Sequence, residues 1–226
     1  MSSVKLVWVT PEAEKLIGYM ARVSNPANQT NYDTAPKLLN YCIRKKHWSI
    51  FEMVNLVLEV KTTRDIGRQI LRHGFKFQEF SQRYAKVDTD SFVLREARFQ
   101  DTKNRQNSIP LSDLRDSPYM SPEELAGAVW VSEEWERRQK EYLKIVQKDY
   151  DWAIEHGIAK EQARVILPEG NTMSCMYMQG TLRNWFHYSF LRMAEGTQRE
   201  HQDIAEKAWV ILEDKFKFLR EIEIEK

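Results

Sequence analysis

The sequence has few cysteines, almost no net charge and no long apolar run. Its two cysteines, Cys42 and Cys175, do not form a Cys-x-x-Cys pair, which favours a reducing cytoplasm over a disulfide framework. The 34 Lys and Arg residues nearly balance the 33 Asp and Glu residues, and this argues against a nucleic-acid coat or a membrane-surface protein. The longest uncharged run, residues 170–182, is shorter than the roughly 20 apolar residues that a membrane helix needs. We therefore expect a soluble cytoplasmic protein with neither nucleic acid nor membrane as a partner.

Several common functional motifs are also absent. The sequence contains no GxGxxG, GxxxxGK[ST] or GxSxG pattern, which excludes the usual nucleotide loops and the hydrolase elbow. Its five histidines include no HxxxH pair, so we predict no metal site. The first residues lack an apolar core followed by a cleavage site, and we expect no secretory signal. Neither cysteine has a neighbouring cation in the sequence, which favours structural thiols.

The residue patterns predict one α+β domain over residues 1–226. Strands are predicted at residues 5–10, 53–60 and 91–94. A long loop or insertion is predicted at residues 101–122. A helix is predicted to start at Thr10-Pro11-Glu12, with Thr10 as its cap and Pro11 in its first turn. Further helices are predicted from Thr63 onward and at residues 34–46, 132–155, 158–167, 173–193 and 200–219.

One dense segment, residues 72–84, directly follows a predicted helix. It places two arginines, a lysine, a histidine, a serine and a glutamate among aromatic residues. Residues 64–83 hold five Lys or Arg against two acids, a local excess of +3. Arginine binds phosphate with two parallel hydrogen bonds, and serine hydroxyls can complete an anion pocket. Two simpler interpretations stay open. The arginines at 64, 68 and 72 are equally typical of a solvated helix face, and residues 72–84 are equally typical of a charged surface loop.

A second cluster, residues 181–192, is rich in aromatic residues. Arg183 and His187 lie one helical turn apart, and Arg192 lies about one turn further on. Polar side chains in such a segment either pair in the interior or face a ligand. For His187 alone, a satisfied core histidine is the simpler interpretation.

Residues 72–84 resemble the signature of the flavin-dependent thymidylate synthases, a pattern of the form RHRxxSxNxxSxR. The resemblance extends in the same order to residues 21–24, 47–52, 163–168, 182–187 and 191–192. Three departures stand out: Arg-His-Gly replaces Arg-His-Arg, the stretch between His73 and Glu79 is one residue shorter, and Gln78 stands where asparagine is common. Thr181 also replaces an expected asparagine. We hypothesise that Lys76 substitutes for the arginine missing at Gly74.

The resemblance implies a central, mostly antiparallel sheet flanked by helices, and the reductive methylation of dUMP to dTMP. Methylenetetrahydrofolate would supply the carbon, and FAD reduced to FADH2 by NADPH would supply the hydride. It also implies a homotetramer with shared active sites, in the cytoplasm of a bacterium or of the host of a virus. This reaction needs no protein thiol, which agrees with two inert cysteines.

The resemblance also assigns site residues. Arg192 would be catalytic and stabilise the negative charge that develops on the uracil ring. Ser81 is better interpreted as a substrate contact than as a nucleophile, because no local base accompanies it. Flavin contacts would fall to Ser49, Arg72, His73, Gly74, Glu79, Arg183 and His187. Substrate contacts would fall to Gln69, Arg72, Ser81, Gln82, Arg83, Arg164 and Arg192.

The sequence alone leaves two alternatives open. The chain could keep the fold and have lost or altered the activity, because Gly74 and the shortened stretch weaken flavin binding. It could instead be a non-enzymatic binder of single-stranded nucleic acid that uses Arg83, Lys76 and the phenylalanines as a stacking and phosphate platform.

Overall fold

A computed structural model describes residues 2–222, which separate into two compact units. The first unit contains Thr63–Gly67 and Phe80–Ser174. The second contains residues 2–62, Arg68–Glu79 and the described chain from Cys175 onward. The single domain expected from the sequence stays a prediction.

The described residues form strands, α-helices and short 3-10 helices. The strands are β1 (Ser3–Val9), β2 (Asn55–Thr63), β3 (Lys76–Glu79), β4 (Arg98–Gln100), β5 (Ser108–Pro110) and β6 (Met173–Thr181). The α-helices are α1 (Ala13–Ala21), α2 (Ala35–Arg44), α3 (Arg64–Ile70), α4 (Leu111–Arg115), α5 (Pro122–Glu155), α6 (Lys160–Ala163), α7 (Leu182–Arg192) and α8 (Arg199–Lys215). The 3-10 helices are Pro26–Asn28, Trp48–Glu52, Thr89–Ser91, Arg164–Ile166 and Lys217–Glu221.

The second unit is built on a four-stranded sheet in the order β1-β2-β6-β3. β1 pairs antiparallel with β2, and β3 pairs antiparallel with β6. Buried Leu56, Leu58 and Val60 alternate with more exposed residues along β2, the period expected of a strand with one face in the core. Helix α8 packs against β1 and α7. The α+β class, with an antiparallel sheet and flanking helices, is therefore confirmed.

The first unit is organised around α5. This helix begins with a capping box in which the Ser121 side chain and the Glu124 side chain each bond the other's backbone N–H, and Pro122 occupies the first turn. Its C-terminal half contributes Val146 and Tyr150 to a separate apolar core. There the buried Tyr150 hydroxyl accepts a 3.0 Å hydrogen bond from a backbone N–H. β4 and β5 form a small antiparallel hairpin.

Arg95 fixes the start of α3 within the first unit. Its Nη2 donates to Asp65 Oδ1 at 2.9 Å and to Thr63 Oγ1 at 2.5 Å, and its Nε donates to the Gly170 carbonyl at 3.1 Å. The Gln139 side chain accepts from the Arg95 backbone N–H and donates to its carbonyl. Nothing in the spacing of the sequence indicates this arrangement.

The single helix predicted at residues 173–193 is wrong, because the segment divides into β6 and α7. Ser174, Met176 and Met178 are buried while their neighbours are more exposed, so the segment follows a two-residue period until Thr181. The Thr181 hydroxyl then caps α7 by accepting from the Asn184 backbone N–H.

Four smaller predictions are also corrected. Residues 91–94 do not form a strand, and the region 101–122, predicted as a long loop or an insertion, is not a continuous loop because it contains β5 and α4. Thr10 does not cap α1, since its hydroxyl bonds the backbone of Asn55 on the neighbouring strand. Arg64 is buried rather than on a solvated face, and α3 ends before Arg72, so the arginines do not form one helical stripe.

Candidate active site

The two sequence clusters meet in the second unit at His73 and Arg192. His73 lies in the turn that follows α3, and Arg192 is the last residue of α7. Arg192 Nε donates a hydrogen bond to His73 Nε2 at 2.9 Å, across 119 residues of sequence. Because this bond uses Nε alone, the terminal nitrogens of the guanidinium are left for other partners.

This environment keeps His73 neutral. Burial, together with the positive charges of Arg192 and Arg72, lowers the pKa of His73 to about 4. A neutral imidazole that accepts at Nε2 carries its hydrogen on Nδ1. His73 therefore presents one defined N–H donor.

Gln69 lies near the end of α3 and is joined to α8. Its Nε2 donates to Gln198 Oε1 at 2.7 Å, and its Oε1 faces His201 Nδ1 at 3.3 Å. The His201 ring lies 5.9 Å from the His73 ring and 5.7 Å from the Tyr188 ring, measured between centroids. Gln69, His73 and Arg192, three of the predicted site residues, thus belong to one contiguous cluster.

Two buried polar atoms of this cluster have no hydrogen-bond partner among residues 2–222: the Tyr188 hydroxyl and His201 Nε2. Burial raises the pKa of Tyr188 and lowers that of His201 to about 3, so both groups are neutral. A buried donor and a buried acceptor left without partners are uncommon and mark a place where a ligand or water completes the structure.

Glycines shape the backbone beside His73. A Cβ added at Gly180 would lie 2.4 Å from the Phe75 ring, so only glycine lets this ring lie against β6. The Phe75 ring packs edge-on against Trp185, with 4.6 Å between centroids. A Cβ added at Gly74 would meet only the Asn184 side chain, at 3.9 Å, so the backbone there accepts a larger residue.

Arg183 and His187 form a second group on α7. Arg183 pairs with Glu52 and directs Nε towards His187 Nε2 at 3.4 Å. The His187 ring lies edge-on to Trp48, with 4.9 Å between centroids. His187 is exposed, so it is not the core histidine that its sequence context suggests. Ser49 is exposed in the same 3-10 helix as Trp48 and Glu52.

Four predicted site residues lie in the first unit and form a group of their own. Arg83 Nε pairs with the Glu161 carboxylate at 3.3 Å, and Arg164 Nε donates to the Glu161 carbonyl at 3.3 Å. Ser81 Oγ accepts from the Arg83 backbone N–H at 3.3 Å. Gln82 is buried, and its Nε2 has no hydrogen-bond partner among the described residues.

The other predicted site residues, Arg72, Gly74 and Glu79, lie in the second unit. Arg72 and Gly74 lie in the turn after α3, and Glu79 ends β3 opposite Met176. The residues that sequence reasoning missed are Tyr188, Gln198, Glu200, His201 and Glu161. Local spacing does not reveal Tyr188, Gln198 and His201, because their contacts with His73 and Gln69 span large sequence separations.

The cysteines do not form a reactive centre. Burial raises the pKa of both the Cys42 and the Cys175 thiol, which disfavours the thiolate. Residues 2–222 contain no group of three or more His, Cys, Asp or Glu side chains that could hold a metal ion. Within the same part of the chain, no helix is long and apolar enough to span a membrane.

Known proteins resemble this chain over almost its whole length. The family profile described as thymidylate synthase complementing protein matches residues 5–216. A probable flavin-dependent thymidylate synthase of Paramecium bursaria Chlorella virus 1 is 49% identical over 211 aligned positions, and the match covers 90% of each chain. The flavin-dependent thymidylate synthase of Synechocystis is 47% identical over 193 residues, covering 85% of this chain and 80% of that protein.

A solved structure shares the fold. The UMP/dUMP methylase PolB of Streptomyces cacaoi, bound with 5-Br dUMP, superposes with a TM-score of 0.78. The match covers 98% of this chain and 93% of PolB at 22% sequence identity, a likeness that concerns the fold alone.

Proposed function

Because the chain belongs to the thymidylate synthase complementing protein family and is a flavin-dependent enzyme that methylates dUMP to dTMP, we propose that methylenetetrahydrofolate is its carbon donor and that its flavin is FAD, reduced by NADPH. The observation that carries the site assignment is the hydrogen bond between Arg192 and His73, since it unites the two sequence clusters. When bound and reduced, FAD would supply the hydride that completes the methyl group.

Arg192 is the residue that we assign to the uracil ring. Its Nε is held by His73, which restricts the orientation of the guanidinium plane. A fixed cation aimed at an oxygen of the ring stabilises the negative charge that develops when C5 becomes nucleophilic. The neutral state of His73 matters here, because a protonated imidazole could not accept from Arg192.

The flavin contacts that we propose fit an anionic, aromatic group. Arg183 supplies a cation, His187 an imidazole, and exposed Ser49 a hydroxyl. The backbone at Gly74 has open space above it, since an added Cβ would meet only the Asn184 side chain, at 3.9 Å. The set is completed by Arg72, Glu79 and the Nδ1–H of His73, which bind and orient the flavin rather than react with it.

Phosphate binding is assigned to the group in the first unit. Arg83 and Arg164 converge on Glu161, and Ser81 lies beside the Arg83 backbone. Two guanidinium groups and a hydroxyl are the donors that a phosphate monoester prefers. The buried Gln82 amide has an unused donor that a ligand oxygen would satisfy. Gln69 and Arg72, in the second unit, are the other residues that we assign to dUMP alongside Arg192.

The assembly that we propose is a homotetramer with shared active sites, and α5 supports it. Large apolar side chains are exposed along one side of this helix at spacings of three, four and seven residues: Val131, Trp135, Tyr142, Ile145 and Trp152. Trp152 is 55% exposed and Ile145 60% exposed. A long apolar stripe of this kind is typical of an interface. Sedimentation of Ile145→Glu/Trp152→Glu should yield smaller species, whereas Lys144→Glu, on another side of α5, should not.

The cytoplasmic location is also kept as a proposal. Cys42 and Cys175 are both free thiols, and neither takes part in a disulfide. Free thiols agree with a reducing compartment.

The decisive experiment is a visible spectrum of the purified protein combined with an activity assay. We expect a yellow protein whose flavin bleaches with NADPH, and release of tritium from C5 of dUMP only when methylenetetrahydrofolate is present. A yellow protein without tritium release would indicate the fold with lost activity. A colourless protein with salt-sensitive binding to single-stranded nucleic acid would overturn the proposal.

A further inference from the structure

A chain of four side chains runs from the first turn of α8 to the buried histidine of the candidate site. Gln198 Nε2 donates to Glu200 Oε2 at 3.0 Å, and Gln69 Nε2 donates to Gln198 Oε1 at 2.7 Å. Gln69 Oε1 in turn lies 3.3 Å from His201 Nδ1. All four residues belong to the second unit.

The Glu200 carboxylate, at one end of these hydrogen bonds, determines how the amides of Gln198 and Gln69 and the ring of His201 are oriented. A carboxylate oxygen accepts from the Gln198 amide, so Gln198 turns its NH2 group to Glu200 and its oxygen to Gln69. Gln69 must then turn its NH2 group to Gln198 and its oxygen to His201. An amide oxygen also only accepts, so His201 carries its hydrogen on Nδ1 and donates it.

His201 is the rigid end of the chain. Its side chain is fully buried, and its ring is enclosed by the rings of Tyr188 and His73. A closely packed ring of this kind cannot shift together with the Gln69 side chain, so its Nδ1 holds the Gln69 oxygen in one place. Gln198 holds the other end of the same carboxamide.

We propose that His201 and Gln198 are positioning residues for nucleotide binding. They hold the two ends of the Gln69 carboxamide, so that its second amide hydrogen is presented to an oxygen atom of the pyrimidine nucleotide. The inference rests on the proposed role of Gln69 in binding dUMP. It adds that the amide is a donor of fixed orientation, so it selects an acceptor oxygen and rejects an amino group at the same place.

The test compares His201→Leu, which removes the donor, with His201→Asn, whose amide NH2 can replace the Nδ1–H. The dissociation constant of dUMP, measured by calorimetry on the flavin-loaded protein, should rise about tenfold in the leucine variant and at most about threefold in the asparagine variant. The turnover number should change less than the KM for dUMP in both. Arg199→Ala, on the same turn of α8, is the matched control and should bind dUMP as the wild type does.

Gln198→Leu provides a second test at the start of α8, outside the buried core, where folding is not at risk. It should weaken dUMP binding to a similar degree, without a change in melting temperature that exceeds that of Arg199→Ala. Unchanged dUMP affinity in both leucine variants would overturn the inference. Equal losses in His201→Leu and His201→Asn, accompanied by a lower melting temperature, would overturn it too, since they indicate a purely structural contact.

Gln69→Leu separates this inference from the site assignment on which it rests. If Gln69→Leu binds dUMP as tightly as the wild type, the assignment of Gln69 to the substrate fails. If Gln69→Leu weakens binding but the Gln198 and His201 variants do not, the clamp alone fails.

Discussion

Arg192 and His73 are joined by a 2.9 Å hydrogen bond in which the guanidinium Nε donates to the imidazole Nε2. The bond ties the end of α7 to the turn after α3. It also sets the hydrogen of His73 on Nδ1, because Nε2 is occupied as an acceptor. One contact thereby orients both the cation that we propose for the substrate and the donor that we propose for the flavin.

Replacing Arg192 should separate catalysis from folding. Arg192→Ala should lower the rate of tritium release from C5 of dUMP by a factor of about 100 or more, because a preorganised charge next to the developing negative charge is lost. Arg192→Lys should remain severely impaired, since an ammonium group lacks the planar fork that bonds His73 through Nε and presents two terminal nitrogens in a fixed plane. Flavin absorbance and melting temperature check that the protein is intact. Full activity in Arg192→Ala would remove this residue from the catalytic role.

The departure at Gly74 can be tested in both directions. Gly74→Arg should fold normally, because a side chain there meets only Asn184 at 3.9 Å, and it should bind FAD more tightly than the wild type. Lys76→Ala should bind FAD more weakly if Lys76 substitutes for the missing arginine. Fluorescence titration with FAD measures both affinities, with Gly74→Ala as the control for lost backbone freedom. An unchanged affinity in Lys76→Ala would end the substitution hypothesis.

Gly180 should tolerate substitution far less well than Gly127. Gly180→Ala places a Cβ 2.4 Å from the Phe75 ring and should lower the free energy of unfolding by about 1–3 kcal/mol. Gly127→Ala, in α5 with nothing within 4 Å of the added Cβ, should raise it by about 0.5–1 kcal/mol. Urea unfolding of both variants measures the difference. Equal effects would contradict the close approach of Phe75 to β6.

Half-buried His73 and fully buried His201 should make the free energy of unfolding depend on pH on the acidic side. In the folded chain the pKa of His73 is about 4 and that of His201 about 3, against an ordinary value of 6.5. Between about pH 4 and 6.5 the unfolded chain therefore binds more protons, and the free energy of unfolding falls as the pH is lowered through this range. Above pH 7 the two residues contribute no further change.

Urea unfolding at several pH values between about 4.5 and 8 measures this dependence. His201→Asn, which cannot be protonated in this range, should show a shallower loss than the wild type. Parallel curves for the two proteins would show that burial does not shift the pKa of His201. The arginines that face His73, Arg72 and Arg192, are present in both proteins and do not account for a difference between them.

The sequence predicts best the elements whose patterns are local. The helix of residues 34–46 and the strand of residues 53–60 correspond to α2 and β2, since their apolar periods are clear. Residues 173–193 are predicted wrongly as one helix. Met176 and Met178 are apolar, and the aromatic residues of α7 follow without an intervening loop, so the sequence shows no boundary between strand and helix. The two-residue period becomes visible only when burial is known.

The candidate site is likewise predicted only in part from the sequence. The family resemblance predicts His73 and Arg192 as site residues, and the structure adds that they touch. It does not predict the partners behind them: His201 and Gln69 are 132 residues apart, and no local pattern links them. These long-range hydrogen bonds depend on where α7 and α8 lie relative to the end of α3 and the turn after it, which the spacing of a single sequence does not encode.

The pairing of β3 with β6 allows the chain between these two strands to vary in length. Glu79 and Met176 are cross-strand neighbours, so the chain between β3 and β6, residues 80–172, leaves the sheet and returns to it at almost the same place. Segments whose ends lie together can be lengthened, shortened or exchanged without straining the strands that flank them. The first unit is therefore the region in which an enzyme of this architecture can acquire new loops while the His73–Arg192 contact stays as it is.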